Sequence, residues 1–285
     1  MLNFAFSTKS LKHFSLNDAL NNIAKVGIRT VELYGERPHA YPPDFTAAQA
    51  SSLLTQLSEL KLKITTIDAY GTYGAAQSSK HLSWLAEDWV EREQQIRYTL
   101  DCARLAAALG IPKVVISAGS PIPETMDRME AWRLFVANIY RVLSVVERLG
   151  VTLLLRPSPG YLIETSDQIL AFLKEMEFPS SLKVDFDFAH LACAGEDPVD
   201  AFKTLLPYVE NIHLSDAFCK ESHAHVQVGE GQLDVKQFLT FLKEQNYDGQ
   251  IVLYVDTEHT SADDVVAHTI EGLKKLGYSV GEENQ

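Results

Sequence analysis

Positive charge is scarce in this sequence: 25 lysines and arginines stand against 38 aspartates and glutamates, a formal net charge of −13 over 285 residues. A surface that acidic repels phosphate backbones and anionic lipid, so nucleic acid and membrane surfaces are excluded as partners. Cysteine is scarcer still. Cys102, Cys193 and Cys219 are widely spaced, odd in number and form no CxxC. That pattern predicts reduced thiols in a cytoplasmic chain, with Cys102 a core residue of an Ala/Leu-rich helix. No apolar run is long enough to cross a bilayer, and the first residues, MLNFAFSTKS, read as a strand without a basic leader. Neither a membrane span nor export is expected. No GxGxxG follows the first strand, which argues against a nucleotide cofactor.

What the chain does have is 46% hydrophobic residues, enough for a sizeable core. Short β-branched runs alternate with amphipathic stretches from end to end. Asn3–Ser7 and Lys63–Ile67 read as strands, with Ser15 and Thr46 as caps of the helices that precede the second and third strands. Glu87–Leu109 and Asp127–Leu149 are long helices, Leu182–Phe186 and Asn211–Leu214 are later strands, and Gln250–Val255 is the last strand before a closing helix. Strand and helix recur eight times without a compositional break. The pattern predicts an α/β fold, a closed (β/α)8 TIM barrel forming a single domain over residues 1–285, with residues 281–285 a frayed tail. A doubly wound open sheet is the alternative. The segment Asp68–Ala86, rich in Gly, Ser and Tyr, is longer than a plain connection needs and reads as a functional loop or lid.

In such a barrel the C-terminal ends of the strands gather at one mouth, and chemistry is read there. Those ends carry Glu32, Asp68, Arg156, Asp185, Asp187 with His190, His213 with Asp216, then Tyr254, Asp256 and Glu258. Side chains alternate along a strand, so Asp185 and Asp187 share a face, as do Tyr254 and Asp256. Convergent carboxylates and imidazoles suit a divalent cation. Each alone has a plainer reading: a strand-end aspartate caps the next helix, and Glu32 serves only neighbouring backbone. His13, His39, His259 and His268 read as surface residues. Trp84, Trp89, Tyr70 and Tyr73, in and beside the long loop, could stack on a ligand, although Trp89 also suits the start of a helix.

The run Val184–Leu191 (VDFDFAHL), with Asp187 and His190 spaced DxxH, resembles the sixth-strand motif of the xylose-isomerase-like barrels. Asn211–Asp216 (NIHLSD) is similar to their seventh-strand HxxD, Val228–Asp234 (VGEGQLD) to their GEGxxD, and Gly27–Leu33 (GIRTVEL) to their GFxxIEL. That superfamily includes sugar-phosphate isomerases and epimerases, inosose dehydratases, 3-dehydroshikimate dehydratases and AP endonucleases. Lys183–Ala201 is most similar to the 3-dehydroshikimate dehydratase-like branch. The acidic charge and His223, where the endonucleases have Asp, speak against that last activity, although His225 matches one of their zinc-binding histidines.

The resemblance implies four ligands for one divalent metal (Mn, Mg or Zn): Glu, Asp, His and Glu at the ends of barrel strands five to eight. Asp187 and His213 match the middle two. The outer glutamates, which also act as acid and base in the epimerases, fall on Arg156, in the turn-forming run Arg156–Gly160 (RPSPG), and on Tyr254. A guanidinium at that place repels a divalent ion, so the metal set reads as degenerate unless Asp256, Glu258, His190, Asp216, His223 or His225 rebuild it. The expected roles are catalysis by Arg156, His190 and Asp256, substrate contact by Glu32, Asp68, Asp216, His225 and Tyr254, and metal ligation by Asp187 and His213. Arg156 is expected to bond Asp187 and to stand where the metal would. The expected function is a sugar isomerase/epimerase-like or dehydratase-like activity on a small anionic or polyhydroxylated carbonyl compound, in a possible homodimer. The alternative is a non-catalytic ligand-binding barrel.

Overall fold

Eight parallel strands close on themselves, each paired with the barrel strands before and after it in the sequence and the last with the first. The computed structural model describes residues 2–70, 82–219, 224–256 and 261–280. The barrel strands are β1 (Asn3–Ser7), β2 (Thr30–Tyr34), β3 (Lys63–Asp68), β4 (Lys113–Ser117), β5 (Thr152–Arg156), β6 (Leu182–Asp187), β7 (Val209–Leu214) and β10 (Gln250–Leu253). Helices α1 (Leu16–Lys25), α2 (Ala47–Leu60), α3 (Trp89–Leu109), α4 (Arg128–Leu149), α5 (Ser166–Glu175), α7 (Pro198–Leu205), α8 (Val235–Glu244) and α9 (Ala262–Lys275) follow successive strands. This is the expected (β/α)8 barrel. None of the helices is long and apolar enough to cross a membrane.

The helix boundaries follow local chemistry. Ser15 and Thr46 cap α1 and α2 as read from sequence, Thr46 through a reciprocal capping box with Gln49. Both long helices stop at glycines in the left-handed region, Gly110 (φ 69°) and Gly150 (φ 67°). On β6 the side chains alternate strictly. Phe186 points outward onto Phe202 of α7 and Phe238 of α8, at 5.2 and 5.6 Å between ring centroids, so Asp185 and Asp187 point into the lumen. Barrels of this class usually fill the lumen with branched apolar residues. Here its upper part holds charged groups instead.

Three expectations change. The last strand stops at Leu253 rather than Val255, because the Val255 and Asp256 amides leave the ladder for Ser10 Oγ and the His225 carbonyl. A one-and-a-half-turn helix α6 (Phe188–Cys193) and a hairpin of β8 (Asp216–Phe218) with β9 (Ala224–Val226) interrupt the simple repeat. Cys193 and Cys219 are joined in a disulfide rather than being reduced thiols, while Cys102 is the expected buried free cysteine. Spacing along the chain hid the pair; the barrel places the loops after β6 and β7 side by side. The thiols therefore give no support for a reducing compartment. Trp84 is core, with its edge on Phe135, whereas Trp89 is exposed. Tyr73, His223, Glu258, His259 and the tail 281–285 lie outside the described residues, as does most of the long loop.

His39 is not a surface residue either. Its ring is buried and bonds Thr8 Oγ1 and the Phe14 carbonyl, each at 3.1 Å. Burial pushes the imidazole down to about 4, the Phe14 and Leu11 carbonyls opposing only in part. The unfolded chain takes up a proton below roughly pH 6.5, so the folded state gains full benefit above that pH and loses it as pH falls towards about 4. Urea denaturation of wild type and His39→Gln should show the stability gap between them shrink by about 2–3 kcal/mol from neutral to mildly acidic pH. A gap that ignores pH would contradict this.

Candidate active site

The lumen is organised around the last residue of β5. Arg156 is 2% exposed. Its Nε donates to Asp185 Oδ2, its Nη1 to Asp68 Oδ2 at 3.2 Å, and its Nη2 faces Glu32 Oε2 at 3.6 Å. The expected bond to Asp187 is not the one made. Asp187 is committed one layer higher: Oδ1 accepts from the His190 amide at 2.9 Å and caps α6, and Oδ2 lies 3.5 and 3.8 Å from Nδ1 of His190 and His213. The guanidinium therefore runs inward to Asp185 rather than along the rim. Asp185 also accepts from Asn211 at 2.6 Å.

Charge in this layer is tightly interlocked. Burial works against the Arg156 cation, but Asp185, Asp68 and Glu32 outweigh it and hold the guanidinium protonated. Burial lifts the Asp185 carboxyl, with Arg156 and His213 opposing. Asp68 goes the other way: Lys9, Arg156 and His213 together outweigh its burial and lower it. His213 Nε2 sits 2.7 Å from Glu32 Oε1, and Glu32 also accepts from Ser7. Burial and the Arg156 charge press the imidazole down, yet Glu32 and Asp185 raise it overall. Glu32 and Asp68 are thus floor residues holding buried cations in place.

Above this floor lies a histidine pair. His190 Nδ1 is 2.6 Å from the Pro157 carbonyl, which only accepts, so that nitrogen carries the proton. His190 Nε2 then accepts from His225 Nε2 at 3.1 Å, and His225 Nδ1 accepts from Ser215 Oγ at 2.7 Å. Tyr254 packs its ring 4.9 Å from that of His225 and donates its hydroxyl to Asp256 at 2.7 Å. Burial and the Asp256 carboxylate push the phenol well above its ordinary range. Asp256 itself is exposed and stands 3.5 Å from Lys12.

Asp216, the acid of the HxxD motif, is occupied elsewhere. Its Oδ1 accepts from the Ala217 and Leu233 amides and its Oδ2 from Gly229. These bonds fasten the VGEGQLD loop to β8. A side chain at Gly231 would put a Cβ 2.2 Å from Asp216 Oδ1. The two motifs are halves of one structural clamp.

A cavity of about 480 Å³ opens at the barrel mouth. Tyr34, Tyr70, Tyr161 and Tyr254 give it aromatic walls, Ser117 and Ser120 add hydroxyls, and Asp256 with Lys9 and Lys12 add charge. Tyr70 stacks on Tyr161 and lies above the Arg156 guanidinium, 5.6 Å from ring centroid to Cζ. Of the sequence-expected residues, Tyr70, Tyr254 and Asp256 line this cavity. Arg156, Glu32, Asp68 and Asp185 lie beneath it. Lys9 was missed, although it lies two residues beyond the end of β1: the first strand's end carries no acid or histidine, so nothing drew attention there.

The four-ligand metal site does not fit these residues. Arg156 places a permanent cation among Glu32, Asp68 and His213, the three donors that otherwise converge within 4.8 Å. Tyr254 offers a phenol bonded to Asp256, and His213 Nε2 is engaged by Glu32. Among the described residues, Asp187, His190 and His225 form a second convergent set, also within 4.8 Å.

The family model described as xylose isomerase-like TIM barrel matches residues 20–276. The chain is 23% identical over 289 residues to 3-dehydroshikimate dehydratase of Bacillus anthracis, covering 98% of this chain and 96% of that protein. The structure of a D-tagatose 3-epimerase-like protein superposes with a TM-score of 0.79 at 20% identity, over 96% of this chain and 97% of that one. The IOLI protein, solved with a zinc atom bound, superposes with a TM-score of 0.79 at 14% identity, over 96% and 98% of the two chains.

Proposed function

Since the chain belongs to the xylose isomerase-like TIM barrel family, we propose that it is an enzyme moving a proton beside the carbonyl of a small polyhydroxylated compound, as an isomerase or epimerase or, where a hydroxyl is then expelled, a dehydratase. One observation carries the reading: the hydrogen-bonded Tyr254–Asp256 pair stands in the wall of a cavity of about 480 Å³ built from tyrosine faces and hydroxyls. Ring faces take the C–H surface of a sugar, and Ser117 and Ser120 supply hydroxyl partners. Asp256, exposed to solvent and oriented by Tyr254, is the base; a positioned carboxylate of this kind contributes about 10²–10⁴-fold to a proton transfer. His225 packs its ring 4.9 Å from that of Tyr254 and is itself tied to His190 by a hydrogen bond. Arg156 is a positioning residue, fixing the acids on which the mouth rests.

The related 3-dehydroshikimate dehydratase and D-tagatose 3-epimerase-like protein support both branches of this chemistry. No step runs through a metal, because the residues at 156 and 254 do not suit one. For a manganese, magnesium or zinc ion, Asp187, His190 and His225 are the donors this chain would offer.

The test is proton exchange. Chelator-treated protein is incubated in D₂O with D-fructose, D-tagatose, an inosose and 3-dehydroshikimate, and the hydrogen beside the carbonyl is followed by NMR. At least one probe should exchange about 10²-fold or more above buffer, and Asp256→Asn should abolish it. Binding of these probes without exchange would favour a ligand-binding barrel instead.

A further inference from the structure

We infer that Lys9 is the cation that holds the reacting carbonyl oxygen in this site, taking the electrophilic part that a divalent ion would otherwise play. The inference rests on the proposed proton-transfer activity.

Proton abstraction beside a carbonyl needs two groups at once, a base at the carbon and a positive group at the oxygen, where charge develops. The base is accounted for. Three cations stand in or over the described lumen, Arg156, Lys9 and Lys12, and they differ in access; Lys12 is paired with the base itself, 3.5 Å from Asp256. Arg156 is sealed beneath Tyr70 and points away from the cavity, its Nε on Asp185, its Nη1 on Asp68 and its Nη2 facing Glu32 at 3.6 Å. Lys9 lines the cavity. It sits in the short 3-10 turn Thr8–Leu11 that follows β1, so its side chain rises from the rim of the barrel.

Its setting is that of a pre-oriented electrophile. Lys9 Nζ donates to the Tyr70 carbonyl at 3.0 Å and lies 3.6 Å from Asp68 Oδ2. Three tyrosine rings surround it, with centroids at 5.0 Å for Tyr70, 5.4 Å for Tyr254 and 5.9 Å for Tyr34. An ammonium carries three donors. Two are directed by Tyr70 and Asp68, which leaves the third for the cavity. The rings exclude water from the flanks of the ammonium, and a cation in a less polar site acts more strongly on a developing oxyanion. Tyr254 lies between the two working groups, its face towards Lys9 and its hydroxyl on Asp256. A carbonyl seated there has its oxygen at Lys9 and its neighbouring carbon towards Asp256.

In the step, Asp256 takes the proton from the carbon, and the C–H electron pair becomes the C=C bond. The carbonyl π pair moves onto the oxygen, which Lys9 binds as an enolate. Return of a proton to the opposite face of the same carbon gives the epimer; return to the former carbonyl carbon, with the proton of the neighbouring hydroxyl passing to the old carbonyl oxygen, gives the isomer. Expulsion of a β-hydroxyl with one proton gives the dehydrated product and water.

Lys9→Met, Lys9→Arg and wild type are compared in two assays. The first is the D₂O exchange with the four probes. The second is calorimetric binding of glycolohydroxamate, a planar enediolate mimic, which needs no turnover. Asp68 keeps Arg156 in the methionine variant, and melting temperature confirms the fold. Lys9→Met is expected to lower the exchange rate about 10²–10³-fold with KM changed far less, and to weaken hydroxamate binding at least tenfold. Lys9→Arg should recover part of both. Exchange and hydroxamate binding that survive Lys9→Met overturn the role of Lys9 and leave the enzyme reading intact. Lys9-dependent hydroxamate binding in a wild type that exchanges no probe upholds Lys9 and overturns that reading. No hydroxamate binding by wild type overturns Lys9 outright.

Discussion

Arg156→Met should lower the free energy of unfolding by about 3–5 kcal/mol, the usual cost of removing one partner from a buried ionic network. Methionine fills much of the same volume, so the loss reports charge rather than a cavity. The guanidinium serves Asp185, Asp68 and Glu32 together, and all of them are sealed from solvent. Without it Asp68 retains Lys9 and Glu32 retains His213, but Asp185 is left with the Asn211 amide as its hydrogen-bond partner among the described residues. Asp185 is therefore where the penalty concentrates. Adding Asp185→Asn to Arg156→Met should recover more than half of the loss, whereas Asp185→Asn alone should destabilise. Such strong coupling in a double-mutant cycle is expected of groups in one network. Urea denaturation of the four proteins measures it, and a melting temperature unmoved by Arg156→Met would remove Arg156 from the centre of the lumen.

The barrel was legible because its rules are local. Ser15, Thr46, Gly110 and Gly150 announce helix ends, and the eightfold recurrence of strand and helix leaves little choice of topology. The site was legible only where it sits on strand ends with polar residues, which put Glu32, Arg156, Asp187 and His213 into one lumen. What escaped depends on contacts between distant segments. Spacing cannot show that Arg156 turns inward to Asp185, because Asp187 occupies the same face two residues later and is claimed by the start of α6. Nor can it show that Asp216 is spent on three amides, or that Cys193 meets Cys219 across two neighbouring loops. Lys9 is a lone surface-type residue on paper; only barrel closure brings β1 beside β10 and places it against Tyr254.

The double change Arg156→Glu with Tyr254→Glu should convert this barrel into one whose stability depends on a divalent ion. It removes the buried guanidinium and adds two carboxylates to a lumen that already holds Glu32, Asp68, Asp185 and Asp187. Like charges about 4 Å apart repel by about 4 kcal/mol at an intermediate dielectric, so the metal-free variant should melt well below wild type. A divalent ion relieves this, and it binds the folded state alone. At a thousandfold excess over its dissociation constant such a ligand stabilises by about 4 kcal/mol, which for a chain of this size raises the melting temperature by roughly 10 °C. Manganese or zinc added to the chelator-treated double variant should produce a rise of that order, while wild type moves little. Tyr254→Glu alone should behave like wild type, because Arg156 still stands among Glu32, Asp68 and His213 and repels the ion. A single variant as responsive as the double would show that Arg156 does not exclude metal. A wild type that gains as much as the double would place the ion on Asp187, His190 and His225, the convergent set that the guanidinium does not touch.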